Sequence, residues 1–301
     1  MAKKLWRERN AALDPETDYV EIVQNLALYE FPWDITQSLS FALFRTYAVP
    51  SIGRLLDETG AFTTAAQLRY DDTGLLVEAP FVHGFESPEG KAAIRRINQM
   101  HHMYEISNDD LRYVLATFVV VPKRWLDAYG WRRLTEGELR AVVNYYRALG
   151  RHMGVMDIPE TYDAFMHLMD DYERAHFAYD EGGRHVADST LELLDTFYPA
   201  ILRRPVNTMS RALMDRPLLE AFRYDDPGPR VRRLVHAGMR ARARVLRHTP
   251  SRRTAQRVVD MPRFKSYPDG HRLEELGTFT PYGSGCPVPH APRSERAQAV
   301  S

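Results

Sequence analysis

"LTEGELRAVVNYYRALGRHMG", Leu134 to Gly154, carries helix signals at both ends. Thr135 and Glu138 have the spacing of a capping box, in which each side chain accepts a hydrogen bond from the other residue's backbone N–H. Gly150 or Gly154 then offers an exit from the helix. The same grammar holds in both directions. Upstream, "SNDDLRYVLATFVVV" has Ser107 or Asn108 as cap and Asp109 and Asp110 in its first turn, where the helix dipole favours acids. "SPEGKAAIRRINQMHHMY" opens with Ser87 as cap and Pro88 at the first helical position. "SIGRLLDETG" is a shorter helix stopped by Gly60. Downstream, "IPETYDAFMHLMDDYERAHFAYDEGG" has Pro159 near its start and the pair Gly182–Gly183 at its end. No segment shows the sustained alternation of a strand. The expected fold is all-α: one large helical domain over residues 15–248, with short loops, then a basic segment and irregular tail over 249–301.

The 301 residues are 44% hydrophobic and 27% charged, enough apolar material for a real core. Forty basic and forty acidic residues cancel, so the molecule as a whole has no bias toward nucleic acid or anionic membranes. The lone cysteine, Cys286, excludes internal disulfides and CxxC sites. The N-terminal "MAKKLWRERNAALDPETDY" has no apolar core for a secretory signal. The most apolar run, "YVLATFVVVP", is far short of the ~20 residues that cross a bilayer. A cytoplasmic protein is expected. Composition leaves the oligomeric state open.

Two polar intrusions interrupt apolar faces. In Ile94–Tyr104, helical periodicity collects Ile94, Ile97, His101 and Tyr104 on one side, with Arg95, Arg96 and Gln99 opposite and His102 at the border. His101 is therefore the inward histidine. It either bonds a neighbouring carbonyl or ligates a metal. In "FTTAAQLRYDDTGLLVEAP", read as one helix, the stripe of Phe62, Ala65, Ala66 and Leu76 also contains Arg69, Asp72 and Thr73. A guanidinium, a carboxylate and a hydroxyl on a core face must satisfy one another or a ligand. An Arg69–Asp72 surface pair and a functional site are both open.

R-x-x-D-T, followed 28 residues later by the histidine of "RINQMH", resembles the latex clearing protein (rubber oxygenase) and MpaB oxygenase family. The resemblance runs through "ISNDDLRYVLATFVVVPKRWLDAYGWRRLTEGE", "YYRALGRHMGVMDIPETY" and "YERAHFAYD" and covers roughly residues 45–200. It implies globin-like packing of helices around a non-covalent haem b, with His101 as proximal iron ligand and Arg69 and Thr73 as haem-pocket residues. The function implied is that of a haem-dependent oxygenase, an oxidoreductase acting with O2 on a hydrophobic, olefinic small molecule. The family's lysine is Asp72 here, so Arg69, Asp72 and Thr73 become the expected catalytic group with altered polarity. The absence of CxxCH agrees with non-covalent haem.

Two alternatives arise elsewhere. Glu173 and His176 in "ERAH" have the Glu-x-x-His spacing of di-iron carboxylate oxidases built on helical bundles. Those sites need a second such pair, and the chain has one. From Arg230 to Arg257 ten arginines occur without a carboxylate, which raises a non-enzymatic nucleic-acid-binding protein. The segment lacks interleaved aromatics, and Val231, Leu234, Val235, Met239 and Val245 make it an amphipathic helix with a solvated basic face. No nucleic-acid partner is expected.

Overall fold

The computed structural model describes residues 3–277; Cys286 lies outside them. The helices are α1 (Leu5–Ala11), α2 (Tyr19–Gln24, continued by a π-helical stretch Asn25–Glu30), α3 (Pro32–Thr46), α4 (Pro50–Glu58), α5 (Ala61–Thr64), α6 (Ala66–His83) and α7 (Pro88–His101). They continue with α8 (Asn108–Tyr129), α9 (Glu136–His152), α10 (Tyr162–His176), α11 (Glu181–Thr196), α12 (Ala200–Leu213), α13 (Arg216–Phe222) and α14 (Pro229–Leu246). Two single 3₁₀ turns follow, Val258–Asp260 and Leu273–Glu275. The described residues contain no strand, so the all-α expectation holds.

The expected caps are in place. Ser87, Ser107 and Thr135 each accept a backbone N–H from the first turn, and Glu138 completes the box with Thr135. Three details differ from the sequence reading. The helix containing His101 stops at that residue instead of running to Tyr104. The helix containing Arg69 starts at Ala66, because Ala65 leaves helical geometry. The glycine pair ends nothing: α10 stops at His176, and Gly182 and Gly183 open α11 under the Asp180 cap.

The chain forms two compact units. The larger holds residues 3–63 and 107–256, and its helices bury two aromatic-rich clusters. One gathers Phe44, Tyr47, Val186, Leu218 and Phe222; the other gathers Ile22, Phe31, Trp125, Leu126 and Met239. Each such side chain withdrawn from water contributes about 1.5–3 kcal/mol. The glycine pair explains the α4–α11 crossing. A Cβ on Gly53 would lie 2.6 Å from the Gly183 Cα, and one on Gly183 would lie 2.3 Å from the Tyr47 carbonyl. Only hydrogen fits between these backbones.

The smaller unit is built from residues 64–106 and the chain from Arg257 onward. Leu75, Leu76 and Ala79 of α6, Ala93 of α7 and Leu276 form its core, with Ile97, Met100, Phe264, Tyr267 and Leu273 against them. The tail read as irregular beyond residue 266 is irregular in backbone, yet up to Gly277 it is packed. The sequence points to a boundary near 248, whereas the chain changes unit at 256/257 and residues 64–106 group with the segment after it. What draws that segment in is a row of buried acids on α6.

Candidate functional site

The smaller unit contains every residue expected to be functional. Asp71 and Asp72 of α6 are buried. Asp71 accepts the backbone N–H groups of Lys265 (3.1 Å) and Ser266 (2.9 Å), the Ser266 hydroxyl (2.6 Å) and the Gln67 amide (3.0 Å). Asp72 accepts the Tyr267 hydroxyl and the Gly277 N–H at 2.9 Å. One turn before Thr73, Arg69 donates through Nη1 to the Thr73 hydroxyl, which in turn donates to the Arg69 carbonyl at 2.8 Å. The acid of the R-x-x-D-T motif thus anchors the C-terminal segment, while its arginine and threonine are coupled to each other.

His101 sits in the last turn of α7. Its ring is half-buried and that of His102 is exposed, as helical periodicity predicts. Protein atoms crowd the His101 ring. This desolvation, followed by the charges of Arg69 and His102, pulls its pKa down to about 4. The imidazole is neutral at physiological pH. Among the described residues its ring nitrogens have no hydrogen-bond partner, so the carbonyl-bonded core histidine is not what forms. A neutral, half-buried imidazole with one uncommitted nitrogen lone pair near a guanidinium has the chemistry of a haem-iron ligand. The residues present therefore fit a histidine-ligated haem.

Arg96, expected on the side opposite His101, is half-buried and donates to the Leu276 carbonyl. Its position three residues after Ala93 and four before Met100 places it over the core that Leu276 completes.

The sequence reading missed a groove of about 350 Å³ in the same unit, lined by Glu78, His83, Glu89, Arg257, His271 and Leu273 among others. Burial pushes Glu78 up to about 7, against the opposing Val258 N–H at 2.5 Å and Arg257 at 3.7 Å. Burial and then Arg257 lower His271. None of Arg69, Asp72, Thr73 and His101 lines this groove. Its residues lie too far apart in sequence for spacing to reveal it.

Glu173 and His176, the di-iron alternative, do not converge. Glu173 takes the Arg45 guanidinium in a two-bond pair (Nε to Oε1 2.7 Å) and the Tyr113 hydroxyl (3.1 Å). His176 is exposed, stacks on Tyr172 and bonds the Tyr172 carbonyl. Among the described residues no three His, Cys, Asp or Glu side chains converge to hold a metal ion.

Comparison with known proteins matches residues 35–248 to a family described as "ER-bound oxygenase mpaB/B'/Rubber oxygenase, catalytic domain". The ER-bound oxygenase mpaB' of Penicillium brevicompactum is 30% identical over 280 residues, covering 86% of this chain and 66% of the relative. The ER-bound oxygenase mpaB of the same organism is 31% identical over 215 residues, 64% of this chain and 55% of the relative. That of Penicillium roqueforti (strain FM164) is 28% identical over 236 residues, 72% and 79%. The chain spans about half to four-fifths of the length of these curated relatives.

Proposed function

Because the chain belongs to the family of MpaB and rubber oxygenase catalytic domains, we propose that it is a haem-b-dependent oxygenase acting on a hydrophobic, olefinic small molecule. The observation that carries this reading is His101, neutral and with uncommitted ring nitrogens in a motif position beside Arg69. Haem b, when bound, supplies the redox chemistry for using O2. The chain's contribution is to hold and orient. His101 offers its lone pair, and crowding keeps a proton from competing for it. Arg69 provides a fixed positive charge for a small polar ligand. Thr73 spends its hydroxyl on Arg69, so it acts as the positioning residue that holds the guanidinium in place. Asp72, where the family has lysine, presents no amine and is engaged with Tyr267 and Gly277. A cytoplasmic setting remains part of the proposal: no described helix is long and apolar enough to cross a membrane, while the relatives carry "ER-bound" in their names.

Pyridine haemochrome analysis of protein from haem-supplemented cells tests the reading. About one haem b per chain is expected, abolished or greatly weakened in His101→Ala and retained in His102→Ala. Thr73→Val and Arg69→Lys retain haem and change CO binding, since a single hydrogen bond of about 0.5–1.5 kcal/mol does not expel a cofactor. A colourless, folded wild type, or equal haem content in both histidine variants, overturns it.

A further inference from the structure

We propose that the outer face of α14 is a docking surface for anionic lipid bilayers, on which the protein lies without spanning the membrane. The inference concerns the larger unit and is independent of the haem reading.

α14 has two apolar sides. The inner one, with Met239 and Ala243, is buried in the larger unit. The outer one is not covered by any described residue. Leu234, Gly238, Ala241 and Val245 recur at spacings of four, three and four, which places them on one line along the helix. All four are exposed, Leu234 at 74% and Val245 at 66%. Arg230, Arg233, Arg240, Arg244 and Arg247 all fall on the same flank of that line, within about 140° of Leu234, and all are exposed. No described carboxylate lies within ion-pair distance of Arg230, Arg240, Arg244 or Arg247. The arginines of this helix that do find acids point elsewhere: Arg232 to Asp226 and Arg242 to Asp34. The start of α12, which packs against α14, repeats the combination. Ile201 is 85% exposed and Leu202 and Tyr198 are also exposed, beside exposed Arg203 and Arg204.

An aliphatic line beside an arginine flank selects among occupants. A phosphodiester backbone takes the arginines but gains nothing from Leu234 and Val245; α14 has no Phe, Tyr or Trp on which a base stacks, and the ring of His236 is stacked on Tyr129. A second copy brings the same cations onto this face under two-fold symmetry and is repelled. A bilayer interface takes both: headgroup phosphates meet the guanidinium groups, and the acyl boundary meets the aliphatic line.

The test is co-sedimentation of the full chain with vesicles of phosphatidylcholine alone or with phosphatidylserine added. Binding is expected to the mixed vesicles only, and to weaken as salt rises. Each arginine contributes about fivefold in affinity, so Arg240→Glu/Arg244→Glu/Arg247→Glu loses binding by more than a hundredfold. Leu234→Ser/Val245→Ser, also on solvent-exposed positions, weakens it with the arginines intact. Unchanged binding by both variants, or no binding by the wild type, overturns the proposal. So does tight binding to a DNA oligonucleotide without binding to vesicles, or self-association in sedimentation velocity that Leu234→Ser/Val245→Ser abolishes.

Discussion

In the larger unit four of the five described buried carboxylates, Glu30, Asp34, Glu138 and Glu173, meet guanidinium groups and the fifth, Asp110, takes hydroxyls, whereas in the smaller unit Asp71 and Asp72 are cradled by backbone N–H groups and hydroxyls and Glu78 takes the Val258 N–H with Arg257 at 3.7 Å. Arg132 bridges Glu30 (3.0 Å) and Glu138 (2.7 Å), Arg242 holds Asp34 (2.9 Å), and Arg45 holds Glu173. Burial opposes the Arg132 and Arg45 charges, but bonds from the acids keep both protonated above the usual range. The acids of α6 instead accept from Val258, Lys265, Ser266, Tyr267 and Gly277. The difference follows from what each acid joins. An ion pair links side chains of helices whose backbones are already satisfied. The segment after residue 256 has almost no secondary structure, so its buried N–H groups need acceptors from elsewhere. The α6 carboxylates take the place of a missing strand or helix partner.

The strongest challenge to this contrast is Arg132→Met. It leaves Glu138 and Glu30 buried without their counter-charge, which costs about 3–5 kcal/mol. Urea denaturation followed by tryptophan fluorescence reads the loss. A change under ~1 kcal/mol would show that the larger unit does not depend on these pairs. Next comes Asp71→Ala, which orphans the N–H groups of Lys265 and Ser266 at about 1–3 kcal/mol for each donor left buried. Hydrogen exchange at those two amides should accelerate tenfold or more, with the larger unit unaffected. Uniform acceleration in both units would break the comparison.

The smallest effect sharpens it through pH. Glu78 titrates near 7 in the folded chain, raised by burial from an ordinary value of 4.5. The fold therefore prefers its protonated form. Its contribution to stability is complete below pH 4.5 and is lost as pH rises through about 7. Protection of the Val258 amide should fall over that window by an amount worth on the order of 1–2 kcal/mol. Glu78→Gln should flatten the profile. A profile unchanged by that substitution would assign the pH dependence to other groups.

Local signals were legible in the sequence and long-range ones were not. Ser87, Ser107 and the Thr135–Glu138 box were readable because a cap's partner lies within four residues. The inward turn of His101 relative to His102 follows from periodicity alone. The glycine pair at 182–183 misled, because its role is set by Gly53 across a helix crossing and not by helix termination. The choice between an Arg69–Asp72 pair and a site could not be made from spacing. The Asp72 partners Tyr267 and Gly277 lie 195 and 205 residues away. Prolines and glycines in the last segment describe its backbone correctly, but its order comes from acids on α6 that composition cannot connect to it.

The smaller unit is assembled from two pieces of chain separated by the 150 residues from Ser107 to Gln256. During synthesis at about 5–20 residues per second, α6 and α7 emerge roughly ten to thirty seconds before the segment that completes them. Over that interval Asp71, Asp72 and Glu78 face water as ordinary solvated acids, and Leu75 and Leu76 lack the cover of Leu276. Translation therefore imposes an order of assembly, with the larger unit's helices all made while the smaller waits for the residues from Arg257 onward. A chain ending before Arg257 would carry all of the larger unit's helices and an unfinished smaller unit, with His101 in the unfinished part.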